Sequence, residues 1–353
     1  MVTSLPPILV LSTDNVNPWK NLALEEFLMG LCQSDSQAND QRLFSAILFL
    51  WQNQHTVVIG RNQNAWAECA CQRLEDEGGY LARRSTGGGA VYHDLGNLNF
   101  SIILPRSRFD LGQSFQVILD AVQSLGIEAV RSGRNDILVQ ERKFSGNAFR
   151  YYKGVALHHG TLMVDTDIDP LLRYLTVSDS KLKSRAIKSV RSRVINLIEA
   201  KADLTVRDLS QAVTSSFISH YGAGAPLESL DAGAFHGHPD LAELETRYSS
   251  WDWRYGKSLD FDASLETGRH DWGQAQILVK VEKGLIAQAL IYSDALDSDF
   301  IEGLARKLQG LRFNALDMAQ ALSGSGKTAD TVGEISQKII ADDIASAIRD
   351  QSF

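Results

Sequence analysis

The stretch Arg83-Arg84-Ser85-Thr86-Gly87-Gly88-Gly89-Ala90-Val91-Tyr92-His93-Asp94 sets three adjacent glycines between two strand-like runs, with paired arginines directly ahead of them. Glycine has no Cβ, so three in a row let backbone approach a ligand closely and turn N–H groups inward as an anion-binding concavity. The guanidinium of Arg84 adds a planar donor fork suited to a carboxylate or a phosphate. A triple glycine alone also fits a flexible β-turn. The arginines before it and the His-Asp pair after it favour a binding loop.

Outward from this loop, residues 81–84, 90–93 and 97–104 read as strands rich in β-branched and aromatic residues. Towards the N-terminus, 8–12 reads as a strand, and Asn17-Pro18 signals a helix cap and first helical position. The helix runs to about Gly30, with Trp19, Leu22, Ala23 and Phe27 on one face and Glu25 and Glu26 falling between them. After a polar loop at 34–41, segments 43–51 and 56–59 read as a hairpin turning through 52–55, and 62–77 as a helix. Towards the C-terminus, 113–125 is an amphipathic helix, followed by strands at 136–140, 143–150 and 155–164. Residues 167–195 turn helical and basic, 205–221 is helical, and 222–238 is loop-like. Aromatic residues then crowd at Tyr248, Trp251, Trp253 and Tyr255, ahead of a hairpin at 275–281 and 285–292 turning at Lys283-Gly284, and helices at 297–308 and 333–349.

The pattern is α+β: mixed, largely antiparallel sheets with flanking helices, and a small α+β unit at the C-terminal end. A length of 353 residues favours two domains, and the composition shift sets them at 1–248 and 249–353. With 35 Lys and Arg against 43 Asp and Glu the net charge is −8, which argues against nucleic acid or a membrane surface as partner. Three cysteines suggest no disulfide framework, and with no signal peptide or spanning segment the expectation is a cytoplasmic protein.

Two further features carry chemistry. Gly133-Arg134-Asn135-Asp136 opens one strand and Arg142-Lys143-Phe144-Ser145-Gly146-Asn147-Ala148 opens the next. Lys143 alternates with Ser145 and Asn147, so on a regular strand the three share one face, and with Asp136 nearby they suit a phosphate or Mg²⁺ site. Residues 181–193 carry six basic residues and no acidic one, anomalous in an acidic protein. That run is either a solvated face or a cationic segment that closes over an anionic intermediate. Some motifs fail on spacing. Gly324-Ser325-Gly326-Lys327-Thr328 ends like a phosphate loop but has Ala321 where the first glycine belongs, and Cys69 and Cys71 lack a second ligand pair for zinc. Of His158 and His159, neighbours on a strand, at most one can face a site.

Taken in order, residues 17–26, 56–61, 83–94 with Asn97, 132–136, 143–148, 158–162 and 189–194 resemble the lipoate-protein ligase A family, and the likeness runs almost the whole chain. The resemblance implies a catalytic domain with the fold shared by biotin protein ligases, and a small accessory domain. It implies a ligase that converts lipoate and ATP to lipoyl-AMP and pyrophosphate, then passes the lipoyl group to a lysine of a lipoyl domain. Expected acceptors are the E2 subunits of 2-oxoacid dehydrogenases and the glycine cleavage H protein, and the expected state is a monomer. Family matching places ATP at Arg84, Gly89, Ala90, Val91, Tyr92, Asn97, Asn135, Asp136 and Lys143, and lipoate at Arg84, Gly88, His93, Lys143 and His159. Lys143 is the expected catalytic residue, Asp136 the expected Mg²⁺ ligand beside the phosphates, and 181–193 the expected cover of the adenylate. Against the family pattern, 31–41 looks long and the turn at 140–142 short, which bears on how Lys143 is presented. Transferases of the same fold use a cysteine nucleophile and no ATP. The three cysteines here lie away from the glycine and lysine motifs.

Overall fold

The computed structural model describes residues 5–33, 43–175, 192–256, 260–327, 331–332 and 335–350. Its centre is an eight-stranded sheet in the order Leu227–Asp231, Ile8–Ser12, Ala46–Trp51, Asn97–Pro105, Val155–Met163, Arg142–Tyr152, Asp136–Val139, Val130–Ser132. The first three strands run parallel to one another, and every later pairing is antiparallel. Alternation along the strands sends side chains to two apolar layers. Ile8, Leu48, Phe100 and Ile102 pack under helices Leu111–Ser124 and Val206–Tyr221. Leu9, Ile47, Phe49 and Leu157 pack under helix Pro18–Leu31 and helix Pro239–Ser249. Asn17 caps the first of these helices by accepting from Trp19 N and Lys20 N, and Pro18 needs no donor there.

A second, three-stranded sheet, Tyr80–Arg83, Thr56–Ile59 and Val91–His93, carries the glycine loop. This corrects the expected hairpin: Ala46–Trp51 and Thr56–Ile59 belong to different sheets. The connection between them holds His55 at a left-handed φ of 44° and buries Asn53, so the chain leaves the large sheet instead of folding back along it. The expected helix at 62–77 is two short helices, Ala65–Glu68 and Cys71–Asp76, interrupted where Cys69 bridges to Leu175. The expected loop at 222–238 contains the edge strand Leu227–Asp231, which pairs in parallel with Ile8–Ser12. A third sheet, Ala263–Glu266, Ala275–Glu282 and Leu285–Ser293, packs with helices Ser298–Leu308, Ala315–Leu322 and Gln337–Arg349 around its own core. Among the described residues no helix is long and apolar enough to cross a membrane.

Candidate active site

One cavity lies between the eight-stranded sheet and the three-stranded sheet that carries the glycine loop. Arg84, Gly88, Gly89, Ala90, Val91, His93, Asn135, Lys143 and His159 all line it, so nine of the residues expected to bind ATP or lipoate meet in one place. Tyr92, Asn97 and Asp136 do not line it. Tyr92 turns its ring to the opposite face of its short strand, beside Tyr174 and His55. Asn97 is buried in the large sheet and donates to Asn99 Oδ1 at 3.0 Å. Asp136 stands at the rim, with Oδ1 2.7 Å from Lys143 Nζ. Of the basic run 181–193, residues 181–191 lie outside the described ones.

The two arginines of the opening stretch are committed to the protein. Arg83, fully buried, donates to the carbonyls of Gly60, Arg61 and Gln63 and to those of Trp253 and Arg254, tying the aromatic stretch after helix Pro239–Ser249 to the loop. Arg84 donates Nη2 to Gly87 O at 2.7 Å and Gly89 O at 2.8 Å, and Nε to Thr86 Oγ1 at 3.0 Å. It therefore wraps the glycine loop around its own guanidinium. Burial pushes the Arg84 pKa down to about 10, partly offset by Glu25, and the group stays charged at neutral pH.

The three glycines differ. A Cβ on Gly87 would sit 2.1 Å from Ala295 O, so this glycine lets the C-terminal unit approach. Gly88 has a left-handed φ of 93° and donates its N–H to Ala295 O at 3.2 Å. At Gly89 a Cβ would meet nothing within 4 Å, so this glycine faces open space.

Glu25 is the residue that periodicity misplaced. It is 1% exposed, and its Oε1 lies 2.7 Å from His159 Nδ1 and 2.5 Å from Ser101 Oγ. His159 Nε2 meets Thr86 Oγ1 at 2.8 Å, which completes a buried chain from Glu25 through His159 and Thr86 to Arg84. The Glu25 carboxylate accepts, so His159 donates to it from Nδ1. Glu25 is thus the counter-ion of Arg84 by relay. His158 turns to the other face of the sheet, where Nε2 meets Asn147 Oδ1 at 2.9 Å and Nδ1 meets Ser114 Oγ at 2.6 Å.

Lys143 is presented by two local irregularities. Gln140 and Glu141 take left-handed φ of 50° and 61°, the signature of a tight two-residue hairpin turn. Just beyond, Leu138 pairs with Lys143 but Ile137 with Ser145, so Phe144 is a bulge. The bulge puts Lys143 out of phase with Ser145 and Asn147, contrary to the expected shared face. Its side chain lies over Gly146, where a Cβ would come within 3.0 Å of both Cε and Nζ. Asn147 Nδ2 donates to Asn135 O and Asn135 Nδ2 to Asn147 O, a reciprocal pair that fixes the Asn135-Asp136 corner beside the amine. Lys143 is 36% exposed, against 7% or less for Arg84, His93 and His159. Sequence reasoning also missed Trp51, Asn99 and Thr161 on the wall, while Asn147, singled out with Lys143, does line it; the alternation of polar residues at 97, 99 and 101 was the available signal.

An exposed amine beside a carboxylate, leading into a buried apolar slot under a glycine loop, is the arrangement of an acyl-activating site with an exposed head and a buried tail. The family description "Lipoyl protein ligase A/B catalytic domain" matches residues 17–218, and "Bacterial lipoate protein ligase C-terminus" matches 258–348. The chain belongs to the lipoate-protein ligase A family. It is 39% identical over 314 residues to the lipoate-protein ligase A of Psychrobacter cryohalolentis, covering 88% of this chain and 90% of that one. P. falciparum LipL1, solved in complex with lipoate, superposes with a TM-score of 0.81 at 31% identity, covering 98% of this chain and all of that one. A lipoate-protein ligase A bound with ATP superposes with a TM-score of 0.56 at 26% identity, covering 71% and 99%.

Proposed function

We propose that the chain activates free lipoate with ATP and transfers the lipoyl group to a lysine of a lipoyl domain, and that the cavity under the glycine loop is where both steps occur. The observation that carries this is the continuity of one cavity from the Lys143 amine to the buried wall formed by Trp51, Val58, Val91 and His93. A carboxylate on an eight-carbon tail fits that gradient: its apolar part gains about 0.8 kcal/mol per buried methylene, and its head stays with the charged groups.

In the first step a lipoate carboxylate oxygen attacks the α-phosphorus of ATP, and the bond to the β-phosphate breaks, releasing pyrophosphate. Lys143 moves from Asp136 to the anionic oxygens and offsets the charge between two anions. Arg84 contributes its field and holds the loop, while Gly89 and the backbone of Ala90, Val91 and Tyr92 meet the nucleotide. Asn135 donates at the rim. Asn97 lies outside the cavity wall, donating to Asn99, and takes no part in this step. In the second step the acceptor amine attacks the carbonyl carbon, AMP leaves and the amine loses a proton. Lys143 stabilises the oxyanion on its way to the amide.

Among the described residues no group of three or more His, Cys, Asp or Glu could hold a metal. A lone carboxylate still fits Mg²⁺, which is usually held by one or two carboxylates together with substrate phosphates and water. Asp136 would hold it, and the ion would neutralise phosphate charge. All three cysteines are buried and none lines the cavity, which supports adenylation over cysteine-based transfer. We place the accessory unit after residue 256, because the short helix Trp251–Arg254 hydrogen-bonds to Arg83, and take a cytoplasmic monomer acting on E2 subunits and the glycine cleavage H protein as the working reading. The test is mass spectrometry of an apo lipoyl domain incubated with the enzyme, ATP, Mg²⁺ and lipoate. A lipoyl-lysine adduct that forms only when ATP is present, with pyrophosphate released, is the expected result; an adduct without ATP, or none, overturns it.

A further inference from the structure

The buried end of the cavity holds N–H groups that a purely hydrocarbon tail would leave unused. Asn21 Nδ2 donates to the carbonyls of Asn15 and Gln52, both at 2.9 Å, so that atom is a nitrogen and the Asn53 atom 3.1 Å from it is an oxygen. The other end of the Asn53 amide, Nδ2, then faces His93 Nδ1 at 3.1 Å, and Nδ1 must accept. Burial, with Arg84 and His159 nearby, pushes the His93 pKa down to about 3, so the ring is neutral and its hydrogen sits on Nε2. Nε2 is shielded from solvent and has no hydrogen-bond partner among the described residues. Asn99 offers a second such group: Oδ1 accepts from Asn97, and the buried Nδ2 has no partner among the described residues. The two residues meet around Trp51, whose ring centroid is 6.3 Å from that of His93 and whose backbone pairs with Asn99. Both line the cavity, at 3% and 2% exposure, far more deeply buried than Lys143.

Lipoate and octanoate share an eight-carbon chain and a carboxylate. They differ in the two sulfur atoms of the dithiolane ring at the far end. We infer that His93 and Asn99 read those sulfurs, and that they set a preference for a dithiolane-bearing acid over a straight-chain one. The inference rests on the ligase reading above and goes beyond it, since that reading treats the tail as an apolar load. A disulfide sulfur, like that of a thioether, is a weak acceptor and a methylene is none. With octanoate bound, both N–H groups are sealed from water with nothing to bond, whereas with lipoate each meets a lone pair. Because sulfur accepts weakly, the discrimination amounts to about 3- to 10-fold for each donor. The Nε2–H tautomer is held by Asn53 and Asn21 from outside the cavity, which makes those two positioning residues.

Two measurements test this on the full-length protein. In the first, the side-chain nitrogens of His93 are followed by long-range ¹H–¹⁵N NMR while lipoic acid or octanoic acid is added. The expected result is an Nε2–H tautomer whose resonance moves with lipoic acid and much less with octanoic acid. An Nδ1–H tautomer, or equal shifts with both acids, as a trapped water between donor and tail would give, overturns the inference. In the second, lipoate and octanoate compete for one apo lipoyl domain, and the adducts are counted by mass. His93→Phe should lower the lipoate-to-octanoate ratio by about 3- to 10-fold. A ratio unchanged from wild type while total turnover falls would mean that His93 only packs. The NMR arm needs no turnover. Wild-type protein that shows the lipoate-specific shift yet releases no pyrophosphate would therefore sink the ligase reading and spare this one.

Discussion

Arg84 and Lys143 line the same cavity with the same sign of charge, and they are built to opposite ends. Arg84 is buried and spends its donors on Thr86, Gly87 and Gly89, with Glu25 as counter-ion through His159. Lys143 is 36% exposed, lies over a glycine, and among the described residues has one ion-pair partner, Asp136, that is itself at the rim. The difference separates a charge that makes the loop from one that can leave its partner for a ligand. An exposed pair of this kind is worth about 0–1 kcal/mol, so breaking it is easy.

The largest effect that would break the comparison is on Arg84. Arg84→Met should cost about 3–5 kcal/mol of stability, because Glu25 and the loop carbonyls remain buried without their cation. Urea unfolding measures it, and a loss below about 1 kcal/mol would show that the guanidinium is dispensable to the fold. Lys143→Ala should leave the urea midpoint in place and cut both adenylation and transfer by about 10²- to 10³-fold. Pyrophosphate release and single-turnover transfer from purified lipoyl-AMP separate the two steps. If only adenylation fell, the sharing of Lys143 between steps would be wrong.

Acid separates the halves in another way. The pKa of His93 is pushed down to about 3, and burial puts that of His158 well below its ordinary value. Both folded pKa values lie below the unfolded one of about 6.5, so the unfolded chain binds more protons as pH drops beneath that value. Stability from these rings is complete above about pH 6.5 and is lost on acidification, by about 1.4 kcal/mol per pH unit for each. Urea midpoints between pH 7 and 5 should show this slope, and in His93→Phe it should shrink by one proton's worth. An unchanged slope would mean that His93 is already protonated in the folded protein.

The order of helices and strands, and most of the cavity, was legible because periodicity and glycine placement are local signals. Trp19, Leu22 and Phe27 found the buried face of helix Pro18–Leu31, and the same rule set Glu25 between those positions, off that face. It failed there because a carboxylate can be buried when a histidine and a serine at distant positions satisfy it, and no spacing along the chain announces those partners. The hairpin at 43–59 failed for a related reason. Both segments are strand-like, but which sheet each joins depends on Asn53 and His55, whose partners Asn21, His93 and Tyr174 lie far along the chain. The bulge at Phe144 is a matter of register, and register is set across strands.

The finest contrast lies within the triple glycine, where neighbouring positions belong to different halves. Gly87 is covered by Ala295 O at 2.1 Å from its would-be Cβ, and backbone cannot yield as a side-chain end can. Gly87→Ala should therefore push the accessory unit off the loop at a cost of about 1–3 kcal/mol, seen as a lower urea midpoint and as faster hydrogen exchange at Gly88 N–H, which loses Ala295 O. Gly89 has open space and no left-handed φ, so Gly89→Ala should change stability by no more than about 0.5 kcal/mol. Its methyl group would instead enter the space proposed for the nucleotide and raise the KM for ATP with little change in that for lipoate. Equal KM changes for both substrates would mean that Gly89 shapes the whole cavity, and a fall in stability matching that of Gly87→Ala would erase the distinction between a glycine needed by the protein and one needed by its ligand.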